Sequence, residues 1–526
     1  MTLQIAQAQT QIPDVEWSLL WPFIIIAVSG IVLITITSLA PATRSGSFPA
    51  LFTASSGIAA AAFIPWLVQR VNDQGGEPFS VVAGAISVDN FTLFMTSIIC
   101  GAVVVTALVF DGYLRREGFG GPEWYALILL SASGGILLVS ANDLILAFVG
   151  LEILSIAVYV LAALHLRRSE SQEAGMKYFV LGALASAILL YGVALVYGAT
   201  GSTRLDDISS ALFVPGVRGL VPAEHSSMLF VGIAFLLVGF GFKVSAVPFH
   251  LWTPDVYQGA PSPVVGFMAS VVKVAAFGAF MRVFLYAFAG VRDEWLPIIS
   301  VLAVLSLGLG SFLAVVQSNI KRMMAYSSIT HGGFMLVGLH SAATEFGSDV
   351  IGTESVIFYL LAYSIMIVGT FAVISVVGRT GDGNHNIDDY TGLVKTHPLM
   401  ASLFAILLFA QAGLPLTSGH FAKFRVIAGA ATDGEYWLAA VAMLAAVVGA
   451  FAYLKVVVAM FMTNASEAGD DTASANGDEA SPIVVPAATL VVIGLSAGVT
   501  LLLGVVPDIG GDFLFDAASA LSLPIR

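Results

Sequence analysis

The stretch FKVSAVPFHLWTPDVYQGAPSPV, residues 242–264, decides how this chain is to be read. Its second residue is a lysine, Lys243, inside the apolar run FLLVGFGFKVSAVPFH. Pro248, Pro254, Pro261 and Pro263 follow in quick succession. Proline removes a backbone donor and clashes with the preceding turn, so a helix passing through here breaks. Carbonyls freed at membrane depth are tolerated only inside protein or along a wet cavity. A buried cation beside such a break therefore marks a place where the chain does chemistry.

The rest of the composition agrees that the setting is a bilayer. Of 526 residues, 58% are apolar and only 10% charged, where soluble domains hold roughly 45–50% and ~25%. Mean hydropathy is +0.93. One cysteine, Cys100, excludes a disulfide framework, a zinc finger and an iron–sulfur cluster in this chain, the last needing about four Cys ligands. A net charge of -13 argues against nucleic acid, which asks for clustered Lys and Arg.

A spanning helix needs ~20 mostly apolar residues. About fourteen such stretches are expected, near 17–39, 48–69, 86–110, 123–141, 143–165, 177–199, 226–261, 262–289, 295–318, 321–341, 354–378, 398–431, 436–463 and 483–506. Six tryptophans (17, 21, 66, 124, 295 and 437) fall near proposed ends, where indole prefers the interface. Trp252 alone lies inside a span, the broken one. The first sixteen residues lack a basic n-region, so helix one is expected to be retained from Trp17. Taking loops alternately, one side collects Arg44, Arg115, Arg116, Arg167, Arg168, Lys177, Lys321, Arg322, Arg379 and Lys395. The positive-inside rule makes that side cytoplasmic and puts both termini outside the cytoplasm. Residues 464–481 read as an acidic, flexible linker.

Five ionisable residues lie far from any expected helix end: Glu152, Lys243, Lys273, His331 and Lys423. Each buried charge costs about 2.5–3.5 kcal/mol even on the lenient insertion scale. Three lysines and one glutamate then cost on the order of 10–14 kcal/mol if unpaired, and one carboxylate cannot neutralise three ammonium groups. The structural alternative is a static ion pair holding helices in register. Replacing such a pair with apolar residues is often neutral or stabilising, so a proton or ion pathway is the expected role. A second break, GLPLTSG at 413–419, precedes Lys423. Paired interruptions in two halves point to inverted repeats. Glu152 to His331 is 179 positions, Lys243 to Lys423 is 180, and Lys273 to Lys455 is 182. Lys455, the weakest member, is near enough to a helix end to snorkel.

Four segments together resemble a known family: 242–264, GLEILSIAVYVL at 150–161, KRMMAYSSITHGGFMLVG at 321–338 and GLPLTSGHFAKF at 413–424. They are similar to the antiporter-like subunits of respiratory complex I, the proton-pumping NADH–quinone oxidoreductase, and most of all to its N type. Lys423 fits the N and L types, whereas the M type has glutamate there. The chain ends soon after span fourteen, where the L type continues into a lateral helix. His420 and Ala422 depart from the family's FIGKF-like pattern.

The resemblance implies an all-α polytopic membrane protein with about fourteen transmembrane helices, two inverted five-helix repeats and two broken helices. The expected parts are a three-helix segment at 1–122, repeats at 123–289 and 295–463, the linker at 464–481 and a C-terminal helix in 482–526. It implies a proton path through Glu152, Lys243, Lys273, His331 and Lys423, with no cofactor or metal held by this chain. FMN, iron–sulfur clusters and quinone would belong to partner subunits of a large respiratory complex in the cell inner (plasma) membrane. The alternatives are a subunit of a multisubunit cation/proton antiporter or of a membrane-bound hydrogenase, and a structural anchor.

Overall fold

A computed structural model describes residues 15–44, 46–214, 217–218, 223–344, 350–462 and 483–521. The acidic linker expected at 464–481 lies outside the described residues. Apart from two short antiparallel ribbons, Phe79–Val81 with Ile86–Val88 and Phe213–Val214 with Val217–Arg218, the described chain is helical.

The first helices are α1 (Trp21–Leu39), α2 (Phe48–Asp73), α3 (Asn90–Glu117), α4 (Glu123–Ser140), α5 (Leu144–Ala163) and α6 (Ser169–Thr200). The middle of the chain forms α7 (Ala223–Val244), α8 (Trp252–Gly259), α9 (Ser262–Ala287), α10 (Arg292–Val316), α11 (Ile320–Thr344) and α12 (Ile351–Val377). The last are α13 (Pro398–Ala412), α14 (Ser418–Thr432), α15 (Tyr436–Phe461), α16 (Ala487–Val505) and α17 (Gly511–Ser519).

Twelve helices among the described residues are long and apolar enough to cross a membrane. Two of the fourteen expected stretches are not among them, for separate physical reasons. The stretch at 321–341 forms α11, a 25-residue helix of about 37 Å at 1.5 Å per residue. Its lysine, serines and two histidines lower its hydropathy, and nearly every one of its residues is buried in protein. The stretch at 398–431 is split at Gly413 into α13 and α14, each of 15 residues and too short to cross alone.

The core is built around α9, whose most apolar window is 100% buried, and α12. By contrast, α15 is only 28% buried and turns Leu444, Val447 and Phe451 outward, as a helix facing lipid or another subunit does. Small residues let α11 run close to α10. A methyl on Gly333 would press on the backbone of Leu307 and Ala303, and one on Gly310 on that of Thr330 and Tyr326. These contacts fit the packing role expected for small residues.

Both breaks fall where proline and glycine put them. Helix α7 stops at Val244, Ser245 takes the left-handed conformation (φ 65), and the Ala246 amide reaches back to the Gly241 carbonyl at 2.8 Å. The Trp252 indole donates to the freed Phe242 carbonyl at 3.0 Å, and the Val247 amide to the Ser306 hydroxyl at 2.9 Å. At the second break Gly413 (φ 95) ends α13. Two of the carbonyls freed at the first break, and the Val247 amide, thus find partners inside the protein.

Candidate functional site

Lys243 occupies the last turn of α7 and is 3% exposed. Its ammonium has no hydrogen-bond partner among the described residues. It stands 5.3 Å from the ring centres of both Tyr159 and Tyr178, an aromatic environment suited to a cation. Tyr178 is fixed in turn by stacking on Trp252 at 4.3 Å. A cavity of about 10 Å³, room for about one water, is bounded by Lys243, Tyr159 and Ser186.

Glu152 lies two turns before Tyr159 and on the same face of α5. One of its carboxylate oxygens is buried without a described hydrogen-bond partner. Its side chain is only partly covered, and the apolar neighbours Val149, Ile153 and Ile156 are exposed. The structure therefore does not join Glu152 and Lys243 in a closed ion pair.

Lys273 sits in α9 just after a wide turn over Met268–Val272. Such turns recur at functional positions in helices. Its ammonium donates to the Ser328 carbonyl at 2.5 Å and to the Ser328 hydroxyl at 2.8 Å. The same hydroxyl is 3.2 Å from that of Tyr257 in α8. Gly332 lies between the two lysine neighbourhoods. A methyl there would be 3.3 Å from the Val244 carbonyl and 3.6 Å from the Lys273 ammonium.

One turn on from Ser328, His331 has both ring nitrogens engaged, Nδ1 with the Tyr359 hydroxyl at 2.7 Å and Nε2 with that of Tyr453 at 3.1 Å. Tyr453 also bonds Ser327. A neutral imidazole in this position accepts from one phenol and donates to the other, the arrangement a relay needs. A second cavity of about 10 Å³ has His331, Thr330, Tyr453 and Lys423 in its walls.

Lys423 donates to the Gln411 and Ala412 carbonyls at 2.8 and 3.0 Å, the last acceptors of α13. The cation thus caps a helix C-terminus, where negative partial charge collects. His420, a departure from the family pattern, bonds the Gly413 carbonyl at 3.1 Å, and Ala422 is fully buried. Lys455 is different. It is exposed and donates to Gln317 at 3.1 Å, just past the end of α10, so it does not match buried Lys273.

Lys273, bonded to Ser328, His331, one turn further along α11, and Lys423, across a water-sized gap from His331, therefore lie in one line of polar groups. Lys243 lies against its near end and Glu152 beyond it. Reading the sequence missed Tyr257, Ser328, Tyr359 and Tyr453, which build that line. The available signal was weak: polar residues inside 321–341, and two tyrosines one turn apart in FYLLAYS. It also missed buried ion pairs. Asp89 accepts two bonds from Arg282, both 2.8 Å, and Asp382 meets Lys321 and Arg168. Among the described residues no group of three or more His, Cys, Asp or Glu is placed to hold a metal ion.

With this geometry in view, the comparisons are specific. The NADH:quinone oxidoreductase/Mrp antiporter transmembrane family model matches residues 141–449. The NADH-quinone oxidoreductase subunit N of Trichlorobacter lovleyi is 37% identical over 471 residues, covering 89% of this chain and 92% of its own. That of Salinispora arenicola is 39% identical over 530 residues, covering 95% and 97%. A chain of respiratory complex I from Thermus thermophilus shares the fold with a TM-score of 0.74 at 31% identity, covering 95% of this chain and 99% of that one. A chain of the Mrp complex from Dietzia sp. has a TM-score of 0.80 at 22% identity, covering 97% and 98%, a likeness of fold alone. The chain is an all-α multi-pass membrane protein that belongs to the NADH-quinone oxidoreductase subunit N family, and so is a subunit of respiratory complex I.

Proposed function

We propose that this subunit translocates protons across the membrane, driven by electron transfer from NADH to quinone elsewhere in the complex. The carrying observation is that Lys243, Lys273 and Lys423 are buried while none of their ammonium nitrogens sits in an ion pair among the described residues. Cations held only by hydroxyls, carbonyls and ring faces, with no carboxylate partner, keep part of the burial cost, which is about 2.5–3.5 kcal/mol each before those contacts are made. That cost keeps the charged and neutral forms close enough in energy to exchange.

In this reading a proton passes from Lys243 to Lys273, then through Ser328 and His331 to Lys423. Glu152 sets the charge near Lys243: its approach favours the ammonium, its withdrawal favours release. Moving each proton out works against roughly 2.3 kcal/mol per 100 mV of membrane potential.

The same proposal includes fourteen crossings in the cell inner membrane, α11 and the α13–α14 pair being the two that hydropathy alone leaves out. It includes the three-helix segment, the inverted repeats at 123–289 and 295–463, the single helix in 482–526 and both termini outside the cytoplasm. FMN, iron–sulfur clusters and quinone are assigned to partner subunits.

The test is Lys243→Ala in the assembled complex, reconstituted in vesicles. Assembly is expected to persist while NADH-driven pumping and coupled quinone reduction fall. Normal pumping would remove Lys243 from the path.

A further inference from the structure

At the end of the bundle where Arg168, Lys177, Lys321 and Arg322 gather, the segment 378–385 between α12 and α13 folds into the protein. Arg379, Gly381 and Asp382 all have positive φ (53, 88 and 47). For the two non-glycines this is a strained conformation that surrounding contacts must hold. Two buried carboxylates do so. The Gly381 amide donates to Glu117 at 2.8 Å. Asp382, fully buried, accepts from the Ser262 hydroxyl at 2.7 Å, the Ser262 amide at 3.0 Å, Arg168 at 3.3 Å and Lys321 at 3.5 Å.

His385 completes this knot. It is 3% exposed, its Nε2 is 2.7 Å from the Asp382 carbonyl, and its Nδ1 is buried with no described hydrogen-bond partner. Nε2 must carry a hydrogen to bond that carbonyl, so in the neutral ring Nδ1 holds a free lone pair. His385 also lines a polar cavity of about 320 Å³, together with Arg168, Lys177, Asp255, Gln258 and Gly383. That is room for a cluster of waters. On the far side of α8, next to Gln258, Tyr257 reaches the Ser328 hydroxyl that holds Lys273. The cavity and the lysine line are thus separated by one short helix.

Resting on the proton-translocation reading above, we propose that this cavity is the aqueous mouth of the path, with His385, oriented by Asp382, as its proton-loading group. A hydronium in the cavity gives its proton to Nδ1: an O–H bond breaks, an N–H bond forms, and water remains. The Asp382 carboxylate, 3.2 Å from Nε2, offsets the imidazolium charge until an imidazole N–H bond breaks and the proton is taken up by the neutral amine of Lys273 by way of the Tyr257 and Ser328 hydroxyls, a new N–H bond forming there. The charged groups around His385 are Asp382 on its own segment, Arg168 at the start of α6, Lys321 at the start of α11, and Asp389 just beyond. Glu170, Glu173, Lys177 and Asp255 line the cavity itself. Burial and Lys321 hold His385 below the usual histidine range, so it waits as a neutral base. Burial alone would raise the Asp382 carboxyl, but Lys321, His385 and Arg168 hold it well below the carboxylate range, as an anion.

The test uses the whole complex in vesicles, with Cys100→Ser and Gly383→Cys. An added side chain at Gly383 meets nothing within 4 Å. A cationic methanethiosulfonate, applied from the side bearing the Arg-rich loops, is expected to label the thiol and lower NADH-driven pumping relative to the same vesicles before treatment. Separately, His385→Gln, which keeps a donor for the Asp382 carbonyl, is expected to cut pumping roughly tenfold or more, the scale of losing a proton-transfer group, and to flatten its pH profile. An unlabelled thiol, full labelling with unchanged pumping, or His385→Gln with the original rate and pH profile would each overturn the mouth. Should Lys273→Ala stop pumping while these variants pump normally, the mouth fails and the lysine path stands. Should Lys273→Ala pump normally, the failure lies with the path.

Discussion

Lys243 and Lys423 both sit in apolar surroundings beside a helix break, yet their ammonium groups are held in opposite ways. Lys423 binds two terminal carbonyls of α13, whereas Lys243 faces two phenol rings and has no described hydrogen-bond partner. Hydrogen bonds from a charged donor contribute about 1.5–3 kcal/mol each, and a carbonyl stripped of its donor adds a desolvation penalty. Lys423→Met should therefore destabilise the subunit by a few kcal/mol. Lys243→Met should be close to neutral, because a flexible apolar chain fits between aromatic rings. Thermal dissociation of the purified complex, followed by native electrophoresis, distinguishes the two. Equal tolerance of both substitutions would mean that the Lys423 bonds contribute little. The residue types of the site were open to view in the sequence, since a lysine in a hydrophobic run stands out. Their partners were not: Ser328 lies 55 positions from Lys273, and Tyr453 lies 122 from His331. Only the folded chain supplies those distances.

At the scale of elements, proline and glycine made both breaks legible, and hydrophobic length did the same for most spans. Helix α11 was legible by length alone, because a helix wrapped in protein has no need to be apolar. The recurring offset near 180 misled in part. Lys243 precedes its break and Lys423 follows its own, while exposed Lys455 is no counterpart of Lys273. Helix crossings were invisible, and one of them shapes the site. Gly182 in α6 leaves space for the Tyr159 hydroxyl from α5, which any side chain at 182 would overlap. Gly182→Ala should push Tyr159 away from the Lys243 ammonium, at a cost of about 1–3 kcal/mol for overpacking. Pumping should fall although no charge has been touched. Adding Tyr159→Phe removes the nearest overlapping atom, leaving the ring carbon Cζ at 2.6 Å, and should recover part of the lost stability. A double-mutant cycle on thermal stability measures the coupling, and strictly additive effects would rule out the clash.

Across the whole molecule, buried ion pairs pin distant parts of the chain together. Asp89 and Arg282 join the start of α3 to the end of α9, and Asp382 joins α6, α9 and α11 through Arg168, Ser262 and Lys321. Removing one partner of a buried pair strands a charge and typically costs about 3–5 kcal/mol, so Asp382→Ala should impair assembly. Acid should act on the same knot in two stages. Asp382 is depressed relative to the unfolded chain, so its contribution is present above the ordinary carboxylate range, about 3.9, and is lost as pH falls through its still lower folded value. His385 is also depressed. The unfolded chain then takes up its proton first, and stability begins to decline as pH drops below about 6.5. Both terms favour neutral over acid conditions, but only the histidine acts between about 6.5 and 4. Thermal inactivation of the complex at pH 7.5 and pH 5 should therefore differ in the wild type, and His385→Gln should narrow that difference while leaving the loss below pH 4 in place. A gap unchanged by His385→Gln would assign the mild-acid sensitivity to a different group.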